Sequence, residues 1–170
     1  MNEKKKRYAE GHLKVSQVDS SRKAIAALLT KYRSAHAPVA HIVHEVSAGA
    51  PIFTPRTSLA REFRELVPPA DSATEKTIGK EHPGAFTGTS LADFLHETGR
   101  KKVVLTGYMA HVCVSTTARQ AEERGYEVVI VEDAVGDRDI PGVKAEELVR
   151  ITLAELADAF GSVVKSESIN

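Results

Sequence analysis

The single thiol of the chain, Cys113, stands where a thiol can act as a nucleophile. It follows Lys102-Val103-Val104-Leu105-Thr106-Gly107, whose β-branched run predicts a buried strand. A Gly-led turn, Gly107-Tyr108-Met109-Ala110-His111-Val112, carries the chain into a helix expected over 112–124 and closed by Gly125. Cys113 therefore falls in the first turn of that helix. The exposed amides and dipole there favour a thiolate and can hold an oxyanion, which is the chemistry of acyl transfer. The competing reading is a small buried hydrophobe. Lys80 ends a short strand expected at 77–80 and precedes Glu81-His82-Pro83-Gly84-Ala85-Phe86. A lysine at the carboxyl end of a strand is ordinarily a solvated charge. In a crevice it stabilises a thiolate or a developing oxyanion.

Other candidates carry less. His41-x-x-His44 lies in a strand expected over 38–46, so the two imidazoles point to opposite faces and cannot share one metal ion. His44, at the strand end, suits a pocket wall or a hydrogen-bond donor. His111 precedes the thiol by two residues, but side chains at that spacing on a helix start diverge, which argues against a Cys–His dyad. Asp133, after a strand expected over 127–132, suits a structural role on loop amides better than an acid in the crevice.

The elements that must position these residues alternate along the chain. Helical spacing of Ile25, Leu28, Leu29 and Tyr32 predicts a helix over about 20–35. Ser47 to Pro55 reads as a long loop, and Leu59, Phe63 and Leu66 mark a short helix ended by Pro68-Pro69. Ser90-x-x-Asp93 resembles a capping box, opening a helix that Gly99 closes. A long helix is expected over 143–160 with Gly161 as its cap, then a last strand at 162–165. Strands alternating with helices through short loops predict a doubly wound, mostly parallel sheet, a Rossmann-like three-layer α/β/α fold. Ligands bind such sheets at the carboxyl ends of strands, near the switch in strand order.

With 170 residues, the chain is expected to form one domain over 1–170, with residues 1–7 disordered. Lys+Arg and Asp+Glu each number 23, and this balance gives no broad surface for nucleic acid or anionic lipid. One cysteine makes no internal disulfide and no cysteine zinc site, so a reducing, cytoplasmic setting is expected. No apolar run reaches the roughly 18 residues of a membrane span.

Taken together, these residues resemble the isochorismatase-like family of cysteine hydrolases, which also contains nicotinamidases and related amidases. The likeness runs from Tyr8-Ala9-Glu10-Gly11-His12-Leu13 to about Asp139. Its most specific stretch is Val103 to Arg119, continued by Ala121, Gly125-Tyr126, Val128 and Val131-Glu132-Asp133-Ala134. Lys80-x-x-Pro83-x-x-Phe86-x-x-Thr89-x-Leu91 is the second signature. The resemblance implies a six-stranded parallel sheet and a triad of Asp, Lys and Cys, with Cys113 matching the nucleophile and Lys80 the lysine. It implies a cis peptide at Tyr108–Met109 that aims the N–H groups of Met109 and Cys113 at the oxyanion. Tyr108, Phe86 and His44 are expected to line the crevice. No cofactor or metal is expected; the partners implied are a small-molecule substrate and further copies of the chain in a homo-oligomer.

Two departures stand out. The family's Asp ends its first strand, upstream of a tail matched here by Tyr8-Ala9-Glu10-Gly11. Before Tyr8 stand only Met1 to Arg7, and Lys4-Lys5-Lys6-Arg7 cannot form a strand buried on both faces. The first strand and the catalytic Asp are therefore expected to be missing. The family's Asp-x-His metal signature is also missing, which leaves the metal-free branch. Three functions follow: a cysteine hydrolase of a small amide or related C–N bond, a catalytically impaired binder or oligomeric scaffold, and a vinyl-ether hydrolase of the isochorismatase type.

Overall fold

The computed structural model describes Tyr8, residues 13–46 and residues 63–169. Strand β1 (Val39–His44) pairs in parallel with β2 (Glu75–Lys80), setting His44 opposite Lys80. Strands β3 (Lys102–Tyr108), β4 (Glu127–Gly136) and β5 (Ser162–Val164) form a second parallel sheet in that order. Helix α1 (Val18–Ser34) precedes β1, and α2 (Leu91–Thr98) connects β2 to β3. Helix α3 (Ser115–Glu122) connects β3 to β4, and α4 (Ala145–Ala159) connects β4 to β5.

The side chains of β4 define the layers. Val128 and Ile130 pack with Ala118 and Ala121 of α3 and with Leu153 and Leu156 of α4. Val129 and Val131 face the other way, onto Leu28 of α1 and Ile169. Successive residues of a strand point to opposite faces, and Ile130 and Val131 are both fully buried. Helices thus cover β4 on both sides, in the parallel α/β architecture expected of the sequence. The first strand expected to be missing concerns Met1–Arg7, outside the described residues, as do the tail expected to be disordered and the 47–55 loop. Among the described residues no helix is long and apolar enough to cross a membrane.

Several boundaries differ from expectation for local reasons. Strand β4 runs to Gly136 rather than 132. Its pairing with β3 jumps from Leu105 opposite Ile130 to Gly107 opposite Val135, so a bulge absorbs residues 131–134 and the strand resumes. Ser90 makes no side-chain cap on α2; Thr89 Oγ1 accepts the Leu91 N–H instead, at 3.2 Å. Of the short helix expected at Leu59, Phe63 and Leu66, Leu59 lies outside the described residues, and Phe63 to Leu66 forms a turn closed by the Leu66 N–H on the Phe63 carbonyl at 2.9 Å. Gly161 is not the cap of α4. A Cβ there would lie 2.5 Å from the Val128 carbonyl oxygen, so its role is the close approach of β5 to β4.

One charged network ties α1 to β1 and β2. The Glu75 carboxylate, 3% exposed, accepts from Arg33 Nε at 2.8 Å and Nη2 at 2.9 Å, and lies 2.8 Å from His41 Nε2. The hydrogen bonds from Arg33 hold the Glu75 carboxyl below its usual range despite burial, and His41 adds to the effect. A depressed carboxylate contributes stability that is whole above its unfolded value and fades as pH falls through the folded one. Glu75→Gln should therefore be less stable than wild type by about 1.5–3 kcal/mol at pH 7. That gap should close on acidification below about pH 4.3, the ordinary glutamate value. Denaturant melts across pH 3–7 measure it, and a gap that does not narrow would refute the assignment.

Candidate active site

The carboxyl ends of β2 and β3 meet around one sulfur. Gly107, the penultimate residue of β3, has φ of 111°, a conformation that L side chains rarely adopt. The next peptide, Tyr108–Met109, is cis. A π-helical turn, Ala110–Val114, then carries half-buried Cys113 and passes directly into α3. The helix of the cysteine thus begins two residues earlier than the periodicity predicts.

Lys80 is the last residue of β2 and only 5% exposed. Its Nζ donates to the His82 carbonyl at 2.8 Å and to Cys113 Sγ at 3.3 Å, and lies 3.3 Å from His44 Nδ1. Cys113, Lys80 and His44, from three different strand ends, therefore converge as the sequence led us to expect. A buried ammonium this close to sulfur attracts a thiolate strongly, because the surroundings screen the charges little. Among the described residues, no carboxylate bonds to Lys80 or Cys113. Glu45 is no substitute. Its exposed carboxylate lies where a Cβ on Gly79 would point, 2.4 Å from that position, on the face of β2 opposite Lys80.

Phe86 and Tyr108, also expected to line the crevice, have partners of their own among the described residues. Phe86 is a core residue, packed with Ile78, Leu91 and Val114, with its ring 6.2 Å from that of Tyr126. The Tyr108 hydroxyl shares a 2.7 Å hydrogen bond with Ser21 of α1, and its ring stacks at 5.2 Å on Tyr8. Burial pushes the Tyr108 phenol up, the Ser21 bond only partly offsetting it. Met109 is buried, leaving its backbone as its part in the turn.

His111 turns away from the thiol, as its spacing suggests. Its Nδ1 lies 2.6 Å from Asp137 Oδ2, and its amide donates to the same oxygen at 3.0 Å. Asp137 is 1% exposed, also accepts the Arg138 amide at 2.8 Å, and its carbonyl accepts the Ser16 N–H. Sequence reading passed over this residue, because the bulge that brings it to the cysteine turn leaves no periodic signal. Asp133 is structural instead, accepting from the Ser166 amide and hydroxyl at 2.8 and 2.5 Å. Burial raises its carboxyl, but these bonds outweigh it and hold the group low. Sequence reading also passed over Thr117 and Gln120, four and seven residues after the thiol. Among the described residues no three His, Cys, Asp or Glu side chains cluster to hold a metal ion.

The Isochorismatase domain family matches residues 5–168, and the chain belongs to that family of hydrolases. It is 56% identical over 163 residues to the secreted isochorismatase effector Isc1 of Verticillium dahliae, covering 96% of this chain and 84% of that protein. It is 31% identical over 115 residues to N-carbamoylsarcosine amidase of an Arthrobacter species, covering 68% of this chain and 40% of that one. The crystal structure of an isochorismatase from Pseudomonas putida KT2440 superposes with a TM-score of 0.91 at 33% identity, over 97% of this chain and 85% of that one.

Asp137 gives this site its clearest stability test. Asp137→Ala leaves the His111 amide and imidazole without their acceptor in a buried setting. The variant should lose about 1–3 kcal/mol in denaturant unfolding, whereas Asp133→Ala, at an exposed position, should lose less. Equal losses would contradict the role given to Asp137.

Proposed function

We propose that the chain is a cysteine hydrolase acting on a small-molecule amide or related C–N bond, with the Cys113 thiolate as nucleophile and the Lys80 ammonium as its counter-charge. The 3.3 Å contact between Lys80 Nζ and Cys113 Sγ is the observation that carries this reading. The thiolate attacks the carbonyl carbon, and the oxyanion is held by the N–H groups of Met109 and Cys113. The C–N bond breaks as the Lys80 ammonium gives the leaving amine a proton; water then attacks the thioester, its proton returns to the Lys80 amine, and the acid leaves with the thiolate restored. Lys80 is the acid within reach of the sulfur. His44 holds the ammonium in place from the opposing strand end. Among the described residues no carboxylate bonds to Lys80 or Cys113, so on this reading Lys80 itself delivers the proton to the amine. The same absence favours a second reading, a binder or scaffold that holds the ligand without turning it over. The relative from Verticillium, by its name an isochorismatase, favours a third, in which the bond cleaved is a vinyl ether. We further assign the chain to a homo-oligomer and to the cytoplasm, where the lone thiol stays reduced.

The test combines thiol reactivity with turnover. Cys113 should be alkylated by iodoacetamide at pH 7 faster than free cysteine, and Lys80→Met should slow it about tenfold or more. Turnover of a panel of small amides should lie well below the roughly 10 s⁻¹ of an ordinary enzyme and vanish in Cys113→Ser. Rapid alkylation with no hydrolysis of any kind would favour the binder. Cleavage of isochorismate that persists in Cys113→Ser would favour the vinyl-ether reading, which needs no thiol. A slowly alkylated Cys113 would overturn the proposed mechanism.

A further inference from the structure

We propose that Thr117 and Gln120 are positioning residues that hold the Lys80 ammonium in register with the Cys113 thiol. The inference rests on the thiolate–ammonium reading given above. The need for such residues follows from topology. Lys80 ends a strand of the β1–β2 sheet, while Cys113 follows a strand of the β3–β4–β5 sheet. Among the described residues no strand ladder joins the two sheets, and the 3.3 Å contact is one made between them by side chains.

The segment after Lys80 supplies the handle. Residues 81–90 form no helix or strand, so their amides need partners from elsewhere. Helix α3 provides them. Thr117 Oγ1 accepts the Ala85 N–H at 3.1 Å, and Gln120 Oε1 accepts the Phe86 N–H at 3.2 Å. Gln120 Nε2 in turn donates to Thr87 Oγ1 at 2.8 Å. The two side chains are three residues apart and share one face of the helix. Thr117 is 8% exposed and Ala85 2%, so the Ala85 N–H has no water to replace a lost acceptor. Gly84 makes room for the grip: a Cβ there would lie 2.2 Å from Gln120 Oε1. Thr89 Oγ1 closes the segment on itself, donating to the Ala85 carbonyl at 2.5 Å.

The segment also aims the ammonium. Lys80 Nζ donates to the carbonyl of His82, within the gripped stretch, at 2.8 Å. Helix α3 continues without a break from the turn that carries Cys113. One rigid piece therefore bears both the thiol and the grip, and the piece it grips bears the carbonyl that orients Lys80. A shift of the segment moves His82, and with it the ammonium relative to the sulfur.

The experiment measures Cys113 alkylation by iodoacetamide at pH 7 on the full chain, in wild-type and Lys80→Met backgrounds. Thr117→Val and Gln120→Ala should each slow alkylation roughly fivefold in the wild-type background, the size of one lost hydrogen bond. Thr117→Ser, which keeps the hydroxyl, should restore the rate, and Gly84→Ala should behave as Gln120→Ala does. In the Lys80→Met background none of these changes should alter the rate. Slowing of equal size in both backgrounds, or a fall in melting temperature with no change in alkylation, would overturn the proposal. Gln120→Ala is half-buried and carries the test if Thr117→Val does not fold. If Lys80→Met itself leaves the rate unchanged, the thiolate reading fails and this proposal falls with it. An effect of Lys80→Met without one from Thr117→Val or Gln120→Ala sinks the positioning role alone.

Discussion

A buried ammonium is the constraint around which this molecule is arranged. Lys80 is 5% exposed, and taking a charged amine out of water is costly unless electron-rich groups replace the water. The structure supplies three: the His82 carbonyl, the His44 ring nitrogen and the Cys113 sulfur. Each comes from a different stretch of backbone, so satisfying one lysine fixes three chain segments against each other. The register of β1 and β2 contributes directly, because it sets His44 opposite Lys80.

The second consequence concerns how two sheets make one body. The described strands pair as two groups, and among the described residues side chains and a helix reach from one group to the other. Helix α1 lays Leu28 against Val129 and Val131 of β4, while Arg33 near its end holds Glu75 at the start of β2. At the other end of β2 stand Lys80 and the segment gripped by α3. Strand β2 is thus tied at its first residue by an ion pair and at its last by the site itself. Disturbing either tie reaches the other through a six-residue strand, so stability and chemistry are coupled here by short distances.

Much of this was legible in the residues, and what was not has a physical cause. The β-branched runs and helical periodicities marked the described strands and helices of the sheet layers, and the Gly107-to-Cys113 stretch marked the place of the thiol. Lys80 was legible through its position at a strand end. Phe86 and Tyr108 were legible as residues beside the site, but not their packing partners, because burial draws such rings into clusters assembled from distant segments. Asp137 was hidden by the bulge in β4, since a register jump has no sequence period. Gly161 read as a helix cap because the same residue serves both tight caps and close backbone approach, and only the distance to Val128 separates them. Thr117 and Gln120 did leave a signal: they recur four and seven residues after Cys113, on the same helical stretch, and polar residues there had no other task.

The chemistry follows from the same ammonium. Had a carboxylate bonded to Lys80, the buried positive charge would be neutralised whether the thiol were ionised or not. Among the described residues the bonding partners of Nζ are a carbonyl, an imidazole and the thiol, and of these the sulfur is the one that can carry a full negative charge at neutral pH. The 3.3 Å contact thus sets the sulfur of Cys113 against the buried amine of Lys80. Burying Lys80 and placing Cys113 are two descriptions of one packing arrangement, and any residue that holds Nζ against Sγ acts on both.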